Sequence, residues 1–302
     1  MRKEVLDFFG DDWVFDGVSL GWTTKELCPK DKPMTNIVEM EARKDGKPNN
    51  IKIVVTQMNT LNMRDLVGYL RGGNFDLDPN GNKHFEPFAK WMGALFRKDP
   101  DSRFTSKPNG SAYYDNNPST TLVLHKSTNG TLEARRGVYQ SFQLRFGRMT
   151  MNIDTSTTAF WVGGRSLIDN AASFNGCRRH EILRAFKANP TLFIQNCGKL
   201  SGSFFNVRHL GERGNAKKIR IRGLKTNNAI QEEFEETQPD GSQKKISVLN
   251  YFKKKYNATL EYPELPLVWT SKGDFPMEMC FVSENERYKE LLQGQETAEF
   301  IK

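Results

Sequence analysis

The chain has 302 residues, 37% hydrophobic, 11% aromatic and 26% charged. It can bury cores for about two domains at the usual ~150 residues each, and wholesale disorder is excluded. Its 44 Lys and Arg against 36 Asp and Glu leave a formal charge of +8, which permits a polyanionic partner without requiring one.

No stretch approaches the ~18 uninterrupted apolar residues of a membrane helix, and acids interrupt the opening MRKEVLDFFGDDW where a secretory signal needs an apolar block. We therefore expect a cytoplasmic or nuclear protein with no membrane partner. In chain order, IKIVVTQ (51–57) has the β-branched content of a strand. LNMRDLVGYLRGG follows with Leu61, Leu66, Val67 and Leu70 at helical spacing. HFEPFAKWMGALFRKDP predicts a second helix ending at Pro100, its aromatic stripe better suited to core packing than to base stacking. TTLVLHKSTNGTLEARRGVYQS reads as two strands joined around Asn129-Gly130. From Gln143 to Trp161 near-alternation of Leu144, Phe146, Met149, Met151 and Ile153 predicts one long strand with a register change near Gly147. LIDNAASF and RRHEILRAFKANP predict two short helices, the second ending before Pro190.

The last third opens with strands SFFNVRH and KKIRIRGL. In the latter Lys218, Arg220 and Arg222 alternate with Ile219, Ile221 and Gly223, so one face is cationic. SVLNYFKKKYN predicts a helix with Ser247 as N-cap and Lys253 to Lys255 at its C-terminal end, where cations suit the dipole. LPLVW and FPMEMCFV supply further short strands.

Enzyme chemistry finds little support. There is no GxxxxGK[ST], GxGxxG, HExxH or GxSxG motif, and His84, His125, His180 and His209 lie far apart. Cys28, Cys177, Cys197 and Cys280 are scattered, so neither a zinc site nor a disulfide framework is expected. The acids from Glu232 to Glu236 suit a solvated edge better than a metal site. We expect no metal and no cofactor. Charge is uneven, however: Lys199 to Lys225 holds eight Lys and Arg against only Glu212. Single-stranded nucleic acid is held by bases on its backbone and rings beneath its bases, and the region from Arg208 to Tyr256 has both. On the predicted helix Tyr251 and Lys255 are i, i+4 neighbours and Tyr256 follows, so hydroxyls and ammonium groups can converge near its end. The plainer alternative is that both tyrosines bury their rings in a core.

SVLNYFKKKYNATLEYPELPLVW resembles the YFxxKY signature of the PAZ domain of Argonaute proteins, and PMEMC resembles the strand that closes it. GVYQSFQLRFGRMTMNIDTSTTAFW and LIDN are similar to the Argonaute first linker, and VFDG (14–17) with IKIVVTQ to the amino-terminal domain. The resemblance implies an α+β fold: a partial Argonaute-type amino-terminal domain over 1–140, linker 1 over 141–196, and a PAZ domain over 197–302. That last domain would be a small OB/SH3-like β-barrel with an inserted α/β module.

The resemblance further implies an RNA-binding module that anchors the 3′ end of small RNA guides in gene silencing, its partner a single-stranded 3′ end or overhang, with silencing-complex proteins as further partners. Residue by residue, Tyr251 and Tyr256 are similar to the family's phosphate-binding tyrosines and Phe234 to the ring under the last base. His209, Lys217 and Lys253 would add backbone contacts, and Met277 with Phe275 would floor the pocket. One departure is that Lys217-Lys218-Ile219-Arg220 stands where the family commonly has R-K-Y-R, which removes a hydroxyl contact. The family's MID and PIWI domains hold the guide 5′ phosphate and the slicing carboxylates. Because this sequence ends at TAEFIK, where a second linker would begin, slicing is not expected of it. The alternative is a truncated scaffold or decoy interaction protein with little RNA affinity.

Overall fold

A computed structural model describes residues 12–16, 18–25, 34–40, 49–72, 86–106, 110–145, 148–207, 218–237, 242–292 and 294–301. The chain divides into one unit of residues 1–115 and 137–156 and a second of 116–136 and 157–302.

In the first unit, strands β1 (Trp13–Phe15) and β2 (Gly21–Thr23) pair antiparallel, as do β3 (Met34–Met40) and β4 (Asn49–Val55). Helix α1 (Met63–Leu70) starts at Asn62, whose side chain accepts from the Arg64 amide, and buries Leu66 and Tyr69 against Phe88. Val67 and Leu70, predicted for the packed face, stay exposed. Helix α2 (Glu86–Arg103) runs through Pro100 rather than stopping at it. Such a proline gives up one amide hydrogen bond and crowds the carbonyl four residues earlier, at about 3 kcal/mol, a cost confined to the last turn because only three helical residues follow it. Short strands β5 (Thr105–Ser106) and β6 (Ala112–Tyr114) pair with each other, and β6 continues onto β8 (Leu132–Arg145).

The hairpin predicted around Asn129-Gly130 forms between β7 (Leu122–Val123) and β8, with Leu122 opposite Ala134. A one-turn helix α3 (His125–Thr128) fills its bend, and Asn129 and Gly130 both take positive φ. The long strand predicted over 143–161 is instead two. β8 ends at Arg145 and β9 (Arg148–Trp161) begins three residues later and pairs with it.

In the second unit α4 (Leu167–Phe174) is capped by Ser166, whose hydroxyl accepts from the Ile168 amide at 3.2 Å. After α5 (Ile182–Ala188) the sequence reading stops at Pro190, but the chain forms another helix, α6 (Pro190–Asn196). Proline needs no amide partner at the first helical position, and Asn189 caps by accepting from Leu192 N at 3.0 Å. These helices bury Leu167, Ile168, Ile182 and Phe193 against the inner face of a five-stranded antiparallel sheet. Its strands are β10 (Phe204–Val207), β11 (Ile219–Asn228), β14 (Pro266–Thr270), β15 (Gly273–Pro276) and β16 (Cys280–Val282), in the order β15-β14-β11-β10-β16. The predicted strand FPMEMCFV is split by a 3₁₀ turn at Met277–Met279. No ladder among the described residues joins β15 to β16, so the sheet is an open path and not a closed barrel. The remaining pieces are the hairpin β12 (Glu233–Thr237) and β13 (Gln243–Ser247), helix α7 (Val248–Tyr256), and the C-terminal α8 (Gln295–Ile301). α7 lies on a smaller core of Ala229, Val248, Phe252, Leu260 and Leu267.

Candidate nucleic-acid interface

The candidate site is built by β12, β13 and α7. The hairpin register sets Phe234 opposite Ile246 and ends on Ser247, which is also the N-cap of α7 and accepts from Asn250 N at 3.3 Å. Strand and helix therefore meet without a linker, which brings two residues distant in sequence together. The Phe234 ring stands edge-to-face to Tyr251 at 5.0 Å and 75°. Tyr251 in turn meets Tyr256 at 5.8 Å and 80°. Phe252, one position from Tyr251, points into the smaller core and is 3% exposed, while Phe234 keeps 38% of its surface open. The two tyrosines are half-buried and pack against the smaller core.

The base that reaches this cluster is Lys255. Its Nζ donates to the Tyr251 hydroxyl at 2.5 Å and lies 4.7 Å from that ring's centre. No carboxylate among the described residues pairs with it. Burial first, then its hydrogen bond to Tyr251, pushes the Tyr256 phenol up to about 12. Tyr256 thus stays a neutral hydroxyl across the physiological range. A row of two hydroxyls and an ammonium suits a phosphate, and an adjoining half-open ring suits a base.

The other sequence-predicted residues fare differently. Lys253 is exposed and two positions from Tyr251, so it projects from a different side of the helix; the i, i+4 spacing marks Lys255 instead. Met277 is 2% exposed and belongs to the main core, whereas Met279 packs against the smaller core beside Tyr251 and Tyr256. At ~120° per residue a 3₁₀ turn sends positions two apart to different sides. Phe275 packs against both cores. Ile219 is buried at 3% in the main core. His209 and Lys217 lie outside the described residues.

Much of the surrounding charge is already paired. Lys225 is bound by Asp274 at 2.7 Å and Glu232 at 2.5 Å, which raise its pKa in that order. Lys254 holds Glu236 at 3.0 Å, and Lys199 holds Glu296 at 3.3 Å. The basic run is thus weaker as an anion site than its count of bases implies, and the acidic run serves partly as its counter-charge.

Two family models match this chain: the PAZ domain over residues 181–301 and the Argonaute linker 1 domain over 108–162. The Argonaute protein of Schizosaccharomyces pombe is 24% identical over 310 aligned residues, 99% of this chain and 34% of that protein. Argonaute 18 of Oryza sativa subsp. japonica is 32% identical over 180 residues, 56% of this chain and 15% of that protein. The Kluyveromyces polysporus Argonaute solved with a guide RNA superposes with a TM-score of 0.44 at 15% identity, covering 84% of this chain and 28% of the other. The chain thus spans about a third or less of the length of these relatives. With linker 1 and PAZ matches that together take in more than half of its residues, the chain belongs to the Argonaute family.

Proposed function

We propose that this chain binds small RNA and anchors its 3′ end in RNA-mediated silencing, as a binding module without slicer activity of its own. The observation that carries the reading is the Phe234–Tyr251–Tyr256 cluster with Lys255 on the Tyr251 hydroxyl. In this reading the open sheet with its inserted hairpin and helix serves as the family's small barrel and α/β module. Lys255 and the two hydroxyls hold the terminal phosphodiester, and Phe234 stacks on the last base. Stacking and backbone contacts read no base edge, so the site accepts any sequence and asks only for an unpaired end. The decoy reading draws on Ile219, a buried hydrocarbon side chain with no hydroxyl where the family commonly has a tyrosine.

A labelled 21-mer duplex with two-nucleotide 3′ overhangs is expected to bind more tightly than its blunt counterpart, and its affinity to fall as salt rises from 50 to 200 mM. Fluorescence anisotropy at the two salt concentrations measures both. Equal affinity for overhang and blunt duplexes would sink end recognition, and no measurable affinity for either would favour the decoy.

A further inference from the structure

The side chains that β11 turns to solvent are not used by the cluster on α7. Lys218, Arg220 and Arg222 are exposed while Ile219 and Ile221 between them are buried, so the three bases leave one side of the sheet. The ladders add rings to the same side. Phe204 of β10 lies opposite Arg220. Trp269 of β14 lies opposite Gly223, beside the register shift that carries Arg222. The Arg222 guanidinium is 5.8 Å from the Trp269 ring centre, and the Lys289 ammonium 5.6 Å from that of Phe204. Trp269 remains 44% exposed although both its sequence neighbours are buried. Cations and rings therefore form a row across three strands, about 10 Å wide at the usual ~4.8 Å per strand.

The acids around this row are each paired with a lysine, one of them Lys289 of the row itself. Asp274 and Glu232 hold Lys225, and Glu286 sits 3.7 Å from Lys289. Lys218 donates to the Glu284 carbonyl, and neither Arg220 nor Arg222 has a carboxylate partner among the described residues. Unpaired guanidinium forks match phosphate oxygens, and an open indole offers a flat surface on which any base stacks. An acidic peptide would use the arginines but has no group that needs the indole face.

We propose that this side of the sheet holds a single-stranded stretch of RNA away from its ends, with phosphates on Arg220 and Arg222 and a base on Trp269. The inference goes beyond the 3′-end reading and uses none of that site's residues. It is tested with a circular single-stranded RNA, which has no 3′ end to capture. The full chain is expected to bind the circle. The double variant Arg220→Gln/Arg222→Gln should bind it at least about tenfold more weakly, with the slope of log affinity against log salt shallower by about 1.4, at ~0.7 per phosphate of a single strand. Trp269→Ala should weaken binding at an unchanged slope, and Phe234→Ala should leave the circle's affinity unchanged. Arg220→Lys/Arg222→Lys keeps both charges and should keep the parent's slope, which guards against misreading a folding defect. The proposal is overturned if the parent does not bind the circle, if the glutamine double variant binds it as well as the parent, or if polyglutamate competes as strongly as the circle. A loss of overhang preference with circle binding intact would end the 3′-end reading and leave this one standing.

Discussion

Phe234→Ala is expected to bind an RNA 3′ overhang roughly 5- to 150-fold more weakly than the parent, the ~1–3 kcal/mol that one base–ring stack supplies. Its melting temperature should move little. Phe234 sits on a two-stranded hairpin with 38% of its surface open, outside both buried clusters of its unit, so truncation leaves no sealed cavity. The salt dependence should also hold, because a stacked ring displaces no counterions. Part of the loss would come through Tyr251, whose ring loses its edge-to-face neighbour at 5.0 Å and with it a constraint on where its hydroxyl points. Titration beside a thermal melt separates the outcomes. Normal melting with parental affinity would remove Phe234 from the site.

Phe252→Ala is expected to act in the opposite way, through stability. Phe252 is 3% exposed and packs with Val248, Leu260 and Leu267 beneath α7, with its ring 5.5 Å from that of Tyr256. Removing a buried phenyl ring costs about 3–5 kcal/mol, from lost transfer energy and the cavity left behind. For a unit of this size that is roughly 6–20 °C of melting temperature. RNA affinity should fall only near the lowered transition and recover on cooling. A Phe252→Ala chain that melts like the parent would mean that the smaller core does not hold the helix, and with it the geometry of the site.

These two phenylalanines show what the sequence makes legible and what it does not. The Ser247 cap, the apolar spacing of Val248 and Phe252 and the lysines of the last turn mark α7 clearly, because cap, periodicity and dipole act within a single helix. That Phe234 meets Tyr251 cannot be read from local pattern; it depends on the β12–β13 register and on the helix starting where the strand stops, and only the family resemblance points to it. Errors arise where one residue type serves two purposes. Pro190 opens a helix as readily as it ends one, and Pro100 passes through the end of another. Met277 and Met279 read alike as apolar positions of a strand, but a 3₁₀ turn sends them to different cores. Lys253 and Lys255 differ only in helical phase. The charge count misled more quietly, since Lys225, Lys254 and Lys199 find carboxylates seven or more residues away, beyond the reach of any local pattern.

The central claim is that the terminal nucleotide rests on the Phe234–Tyr251 pair, and photocrosslinking tests it most directly. A single-stranded RNA carrying 4-thiouridine at its 3′-terminal nucleotide is irradiated with the full chain, digested with trypsin and analysed by mass spectrometry. The expected adducts fall in peptides 226–244 and 246–253, which carry Phe234 and Tyr251. They should disappear when the same label is moved to the middle of the strand. Adducts of the 3′-terminal label spread over other peptides, or adducts in these two peptides that keep their yield when the label moves inward, would contradict 3′-end anchoring at this site.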